Sequence, residues 1–133
     1  MISKFLIGLF SLTGFLLIST YAVAAQPKEM ITTVEMGPIN PVMVKSGKGL
    51  FTSKCAMCHD LDQKRVGPSL RNITKVRKPE YIMNVIYNTV KMQKSDPIFK
   101  SLLVKFNNVP MPDPNLSKAQ VRTILEYLRS VAK

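Results

Sequence analysis

The sequence has one histidine and two cysteines among 133 residues, and only 8 acidic residues against 19 lysines and arginines. Two cysteines cannot build the multi-bridge framework of a small secreted scaffold. A single histidine means that any metal bound through imidazole takes one such ligand from this chain. The shortage of acid leaves a formal net charge of +11, which suits acidic partners, anionic lipid or nucleic acid. No polybasic tail is present: the only adjacent basic pairs are Lys64-Arg65 and Arg77-Lys78. Nucleic acid is therefore the weakest of the three. No segment alternates apolar and polar residues at period two, so strands are not expected. Repeats and low-complexity tracts are absent as well.

What the chain does have is concentrated in five residues. Cys55-Ala56-Met57-Cys58-His59 contains both cysteines and the lone histidine. Cys-x-x-Cys-His is the attachment signature of a c-type haem. At helical spacing, residues three and four apart share a face. Cys55 and Cys58 can then add to the two vinyl groups while His59 points at the iron. The imidazole binds metal only when neutral, and its second ring nitrogen needs an acceptor to fix its orientation. Other uses of the motif are a Cys55–Cys58 disulfide, a thioredoxin-like redox pair and a zinc site. The redox pair needs a preceding strand, which the pattern does not supply. The zinc site has three donors and no second Cys/His pair.

Residues 1–25 read as a targeting segment. Lys4 precedes an apolar run from Phe5 to Ile18, and Ala22-Val23-Ala24 has the small-x-small form of a cleavage site, with the cut after Ala24 or Ala25. No charge occurs from Phe5 to Ala25, so an uncleaved membrane anchor is the alternative. Either way the domain is exported, and a periplasmic location is expected. Loss of Lys4 lowers the net charge by one, to +10, because no acidic residue precedes Glu29. Residues 26–41, interrupted by Pro27, Gly37-Pro38 and Asn40-Pro41, read as an extension that wraps the domain or tethers it.

The domain proper, residues 42–133, reads as all-α with long irregular loops. The spacing predicts a helix from Val42 to about His59, with Val44, Gly47, Phe51, Cys55 and Cys58 on one face. Gly47 costs roughly 1 kcal/mol against alanine inside a helix, a cost consistent with close approach of another helix. Residues 60–78 read as a loop. Pro79 opens a second helix to about Gln93, with Ile82, Val85, Ile86 and Thr89 inward. Asp96-Pro97 caps a third through Phe106, with Phe99, Leu102, Leu103 and Phe106 inward. Ser117 caps the last, to about Ala132, with Val121, Ile124, Leu125, Leu128 and Val131 inward. Between these two, prolines at 110, 112 and 114 forbid helix.

A haem iron held by His59 has a second axial position for methionine, lysine, an N-terminal amine or nothing. Met83 and Met92 fall on or near the second helix, where methionine is usually packing. Met111 lies between two prolines, in a stretch stiff enough to hold a side chain at a fixed place, and is the favoured ligand.

With these residues in view, the chain resembles the class I c-type cytochromes over about Val42 to Ala132. The resemblance rests on Gly47, Phe51 and Cys55 in the first helix, the Cys55–His59 motif, Gly67-Pro68-Ser69-Leu70, Val109-Pro110-Met111-Pro112, and Ile124 with Tyr127 in the last helix. It implies a cytochrome c fold of three to four helices around one covalent haem. It also implies that the Pro68 carbonyl accepts a hydrogen bond from His59, that Met111 ligates the iron, and that the last helix crosses the first at Gly47. Met/His coordination raises the reduction potential, cytochromes c being the general instance of that rule. Asn107, Asn108, Tyr81 and Tyr87 are candidates to hydrogen-bond the Met111 sulfur or a propionate.

The function so implied is electron carriage rather than catalysis, in a monomer, between respiratory partners with acidic surfaces such as a quinol-oxidising complex and a terminal oxidase. Lys54, Lys64, Lys75, Lys91, Lys94 and Lys105 are candidates for the docking rim. The alternatives are a fixed electron-transfer subunit of a larger complex, and a haem peroxidase or gas-binding protein with an open iron.

Overall fold

A computed structural model describes residues 28–133; the expected targeting segment lies outside that range. Six helices occur among the described residues, in the order α1 (Pro41–Lys54), α2 (Ile73–Val76), α3 (Pro79–Tyr87), α4 (Thr89–Ser95), α5 (Pro97–Lys105) and α6 (Lys118–Val131). The all-α expectation holds, and no strand occurs among these residues. None of the described helices is long and apolar enough to cross a membrane.

The helix starts follow their capping chemistry. Asn40 accepts the Val42 and Met43 amides at the head of α1, and Asp96 accepts the Phe99 amide at the head of α5. Ser117 and Gln120 form a reciprocal capping box on α6, so two otherwise unpaired amides are satisfied.

The frame of the molecule is the crossing of α1 and α6. Gly47 lies against the Thr123 carbonyl, and a Cβ at that position would overlap it. Only glycine lets the two backbones approach so closely. Beside this contact the Phe51 and Tyr127 rings pack at 5.4 Å between centroids, tilted by 54°. Val121, Ile124, Leu125 and Leu128 of α6 are almost wholly removed from water, as are Ile82 and Met83 of α3. These side chains form the core, and α6 is its central element.

Three expected boundaries shift. The first helix does not run through the motif but stops at Lys54. There the Phe51 carbonyl accepts both the Cys55 and Ala56 amides, and the widened turn ends the regular ladder. The loop expected over residues 60–78 contains the short α2. The single helix expected over residues 79–93 is two, broken at Asn88 (φ −112°, ψ 36°). The break coincides with side-chain contacts at two adjacent residues. Thr89 Oγ1 donates back to the Val85 and Ile86 carbonyls, a contact that bends helices. The Asn88 amide turns to Glu29 and Asn84.

Glu29 belongs to the segment over residues 28–40, which has no helix of its own and lies along the domain. Ile31 is in the core. The Asn84 side chain accepts the Ile31 amide at 2.9 Å and donates to the Ile31 carbonyl at 2.8 Å. Glu80 accepts the Val34 amide at 3.1 Å. At the far end Glu126, wholly buried, accepts the Asn40 amide at 2.8 Å and is paired with Arg122 and Arg129. Arg129 also donates to the Gly37 carbonyl. Burial alone raises the Glu126 pKa. The hydrogen bonds from Arg122, Asn40 and Arg129 outweigh that and hold it below the ordinary carboxylate range.

Candidate functional site

The helices leave an apolar cleft enclosing about 1120 Å³ of non-protein space, its solvent-open part included. One wall carries Cys55, Cys58, His59, Gly67 and Pro68; Ile82, Val85 and Ile86 of α3 and Phe99, Leu102 and Leu103 of α5 contribute apolar surface; Met111 also lines it.

The motif is a turn after α1. Cys58 and His59 both return their amides to the Cys55 carbonyl, at 3.1 and 2.9 Å. The bond from His59 to Cys55 is the helical i→i−4 one, so the three ligand-bearing residues keep a common side although the helix has ended. Both thiols are free and half-buried. Burial, with a smaller contribution from Cys58, pushes the Cys55 thiol up to about 11. Met57, between the two cysteines, is 86% exposed.

The His59 ring is fixed from behind. Its Nδ1 lies 2.9 Å from the Pro68 carbonyl oxygen. A carbonyl can only accept, so Nδ1 carries the proton and Nε2 keeps the lone pair a metal needs. Gly67 makes the arrangement possible, because a Cβ there would collide with the imidazole. The loop that brings Gly67 and Pro68 back to the motif is itself anchored. The Gly67 amide donates to the Cys58 carbonyl at 2.9 Å, and the Leu70 amide to the Asp60 carbonyl at 3.0 Å. Arg71 pairs with Asp62 and reaches the Val131 carbonyl on α6.

Met83 and Met92 are buried and do not line the cleft. Among the described residues Met111 is the methionine that does. It lies in a segment without secondary structure, as the flanking prolines require. Its backbone is gripped by a residue that the sequence reading passed over. Gln93 Nε2 donates to the Met111 carbonyl at 2.8 Å, and Gln93 Oε1 accepts the Met111 amide at 3.1 Å. The sequence did contain an indirect signal, since an isolated amide between prolines has no local partner.

The four candidates for the Met111 sulfur or a propionate separate. Tyr81 lines the cleft, with its hydroxyl donating to Asp96 at 3.1 Å and Arg77 5.7 Å from its ring centroid. Burial, helped by Asp96, pushes the Tyr81 phenol up to about 12. Tyr87 is outside the cleft lining and instead takes Lys28 over its ring at 5.1 Å. Asn107 and Asn108 are exposed, with φ of 58° and 56°. They turn the chain out of α5 in the left-handed conformation that asparagine tolerates. The six candidate docking lysines are all exposed; Lys64 lies 4.7 Å from the Phe106 ring centroid.

Two thiols, an imidazole with its metal-facing nitrogen free, and a thioether thus border one apolar cleft. That donor set and the cleft's lining fit a covalently held porphyrin, and the chain's own side chains do not fill the space.

Comparison with known proteins agrees. The cytochrome c family model matches residues 44–132. Cytochrome c-551 of Azotobacter vinelandii is 28% identical over 86 residues, 63% of this chain and 95% of the relative. A solved cytochrome c from Rhodothermus marinus is 42% identical, with a TM-score of 0.75 over 77% of this chain and 88% of the other. An engineered version of that protein is 40% identical, with a TM-score of 0.73 and coverage of 77% and 89%. The chain belongs to the cytochrome c family: it is a haem-based electron carrier whose Cys55-Ala56-Met57-Cys58-His59 segment attaches haem c covalently.

Proposed function

We propose that this protein is a periplasmic shuttle between respiratory partners, with His59 and Met111 as the two axial ligands of its iron. The observation that carries the reading is the pairing of His59 Nδ1 with the Pro68 carbonyl in the cleft that Met111 also borders. Haem c supplies a one-electron redox centre. Cys55 and Cys58 hold it, His59 presents Nε2, and Met111 offers a neutral, soft sulfur. Ile82, Val85, Phe99 and Leu102 exclude water and lower the local polarity, which disfavours the more positively charged oxidised state. Two permanent protein ligands would leave no coordination position for a substrate, in keeping with a carrier rather than a peroxidase.

The charge of the surface supports acidic partners. Exposed lysines, Lys64 beside the cleft-lining Phe106 among them, steer encounter at long range, and such steering weakens as salt shortens the screening length. The test is stopped-flow electron transfer to a terminal oxidase at increasing ionic strength. The second-order rate is expected to fall about tenfold between low and physiological salt, within the range electrostatic steering supplies. A rate indifferent to salt removes the docking rim from the account.

A further inference from the structure

Between Val109 and Asn115 the prolines at 110, 112 and 114 remove three amide donors. Of those that remain before Asn115, Val109 closes back on the Phe106 carbonyl at 3.2 Å. Met111 instead sends its amide across to α4, where Gln93 accepts it at 3.1 Å and returns a bond to the Met111 carbonyl at 2.8 Å. A single primary amide satisfies both backbone groups of one residue, as a neighbouring strand would. Gln93 is well placed to do so. Thr89 and Met92 on the same helix are buried, which anchors α4 in the core. The prolines fix φ at 110 and 112, and a residue preceding proline is itself restricted. Pinning the two peptide groups of Met111 therefore removes most of the freedom the segment has left.

We infer that Gln93 is the positioning residue of Met111, holding its backbone at a fixed place over the cleft so that the segment stays closed. The inference rests on the reading of Met111 as a ligand only for its redox consequence; the grip on the backbone is independent of it.

The test uses the haem-loaded protein and the variants Gln93→Ala and Gln93→Leu. Leucine keeps the packing and removes both hydrogen bonds. Three quantities are read: hydrogen–deuterium exchange of the Met111 amide, imidazole affinity of the ferric protein, and reduction potential. Two intramolecular hydrogen bonds of ordinary net strength correspond to roughly a tenfold change or more. Both variants are expected to exchange the Met111 amide at least about tenfold faster, to bind imidazole about tenfold more tightly, and to have a lower potential, with the far-UV melting profile little changed. The inference is overturned if Gln93→Leu keeps the wild-type exchange rate and imidazole affinity, whether or not Gln93→Ala does, because the role would then be packing. If the wild-type ferric protein lacks sulfur ligation yet the Met111 exchange responds to Gln93→Leu, the positioning role stands and the ligand reading fails.

Discussion

The two walls of the cleft are built by different means. On the histidine side, the motif, the Gly67-Pro68 loop and the α1–α6 crossing are joined by backbone hydrogen bonds and by contact too close for a side chain. On the methionine side, the proline-rich segment is anchored largely by one glutamine and by the Lys28–Asp113 ion pair at 3.1 Å. The first wall can loosen only if the core does. The second can open by losing a few side-chain contacts. Local openings of this kind cost less than global unfolding, so exchange of the methionine side should precede loss of the fold.

Gly47→Val tests the first half of this contrast and has the largest expected effect. A branched side chain against the Thr123 carbonyl has nowhere to go, because the obstacle is backbone. Overpacking of this kind costs about 3 kcal/mol. It should appear as a lower unfolding midpoint by circular dichroism, and the Met111 segment should be affected only through global unfolding. If Gly47→Val were as stable as wild type, the close crossing would not be the frame.

Glu126→Gln has the next largest effect and separates the segment over residues 28–40 from both walls. It leaves Arg122 and Arg129 without their carboxylate and weakens the hold on Asn40, a loss on the order of 2 kcal/mol for hydrogen bonds to a charged group. The sign of its pH dependence follows from the pKa direction. Glu126 is held below its ordinary value of 4.5. Its contribution is therefore complete above that value and disappears as pH falls through the lower, folded-state pKa. Asp60, Asp62 and Asp113 shift the same way, so Glu126→Gln should flatten the acid limb of stability without abolishing it. An acid limb identical to wild type would show that Glu126 is not a folded-state anchor.

The same contrast decides what was legible beforehand. The Asp96 and Ser117 caps and the Cys55–His59 motif act through neighbours within a turn or two, and the apolar faces of α5 and α6 recur at helical spacing, so they were readable. Gly47 was readable as a costly glycine inside a helix, although the contact it serves is with Thr123 on α6. The break at Asn88 was not readable, because its amide serves Glu29, 59 positions away. The clamp on residues 28–40 was equally hidden. Asn84, Glu80 and Glu126 bond to backbone between 46 and 86 positions distant, and such pairs leave no periodic trace. Gln93 was read simply as the end of a helix, since nothing local marks it as a partner for Met111. The end of α1 at Lys54 leaves no trace in the sequence, because the motif keeps its three-and-four spacing in a turn that is no longer regular helix.

On this reading the cleft holds one haem attached at Cys55 and Cys58 and ligated by His59 and Met111. The optical spectrum of the purified protein in both oxidation states, beside that of Met111→Ala, tests it most directly. The ferric wild type should show a sulfur-to-iron charge-transfer band and the reduced protein should not bind carbon monoxide, and Met111→Ala should lose both properties. A wild type without the band that binds carbon monoxide, or a Met111→Ala protein that keeps the band, would contradict it.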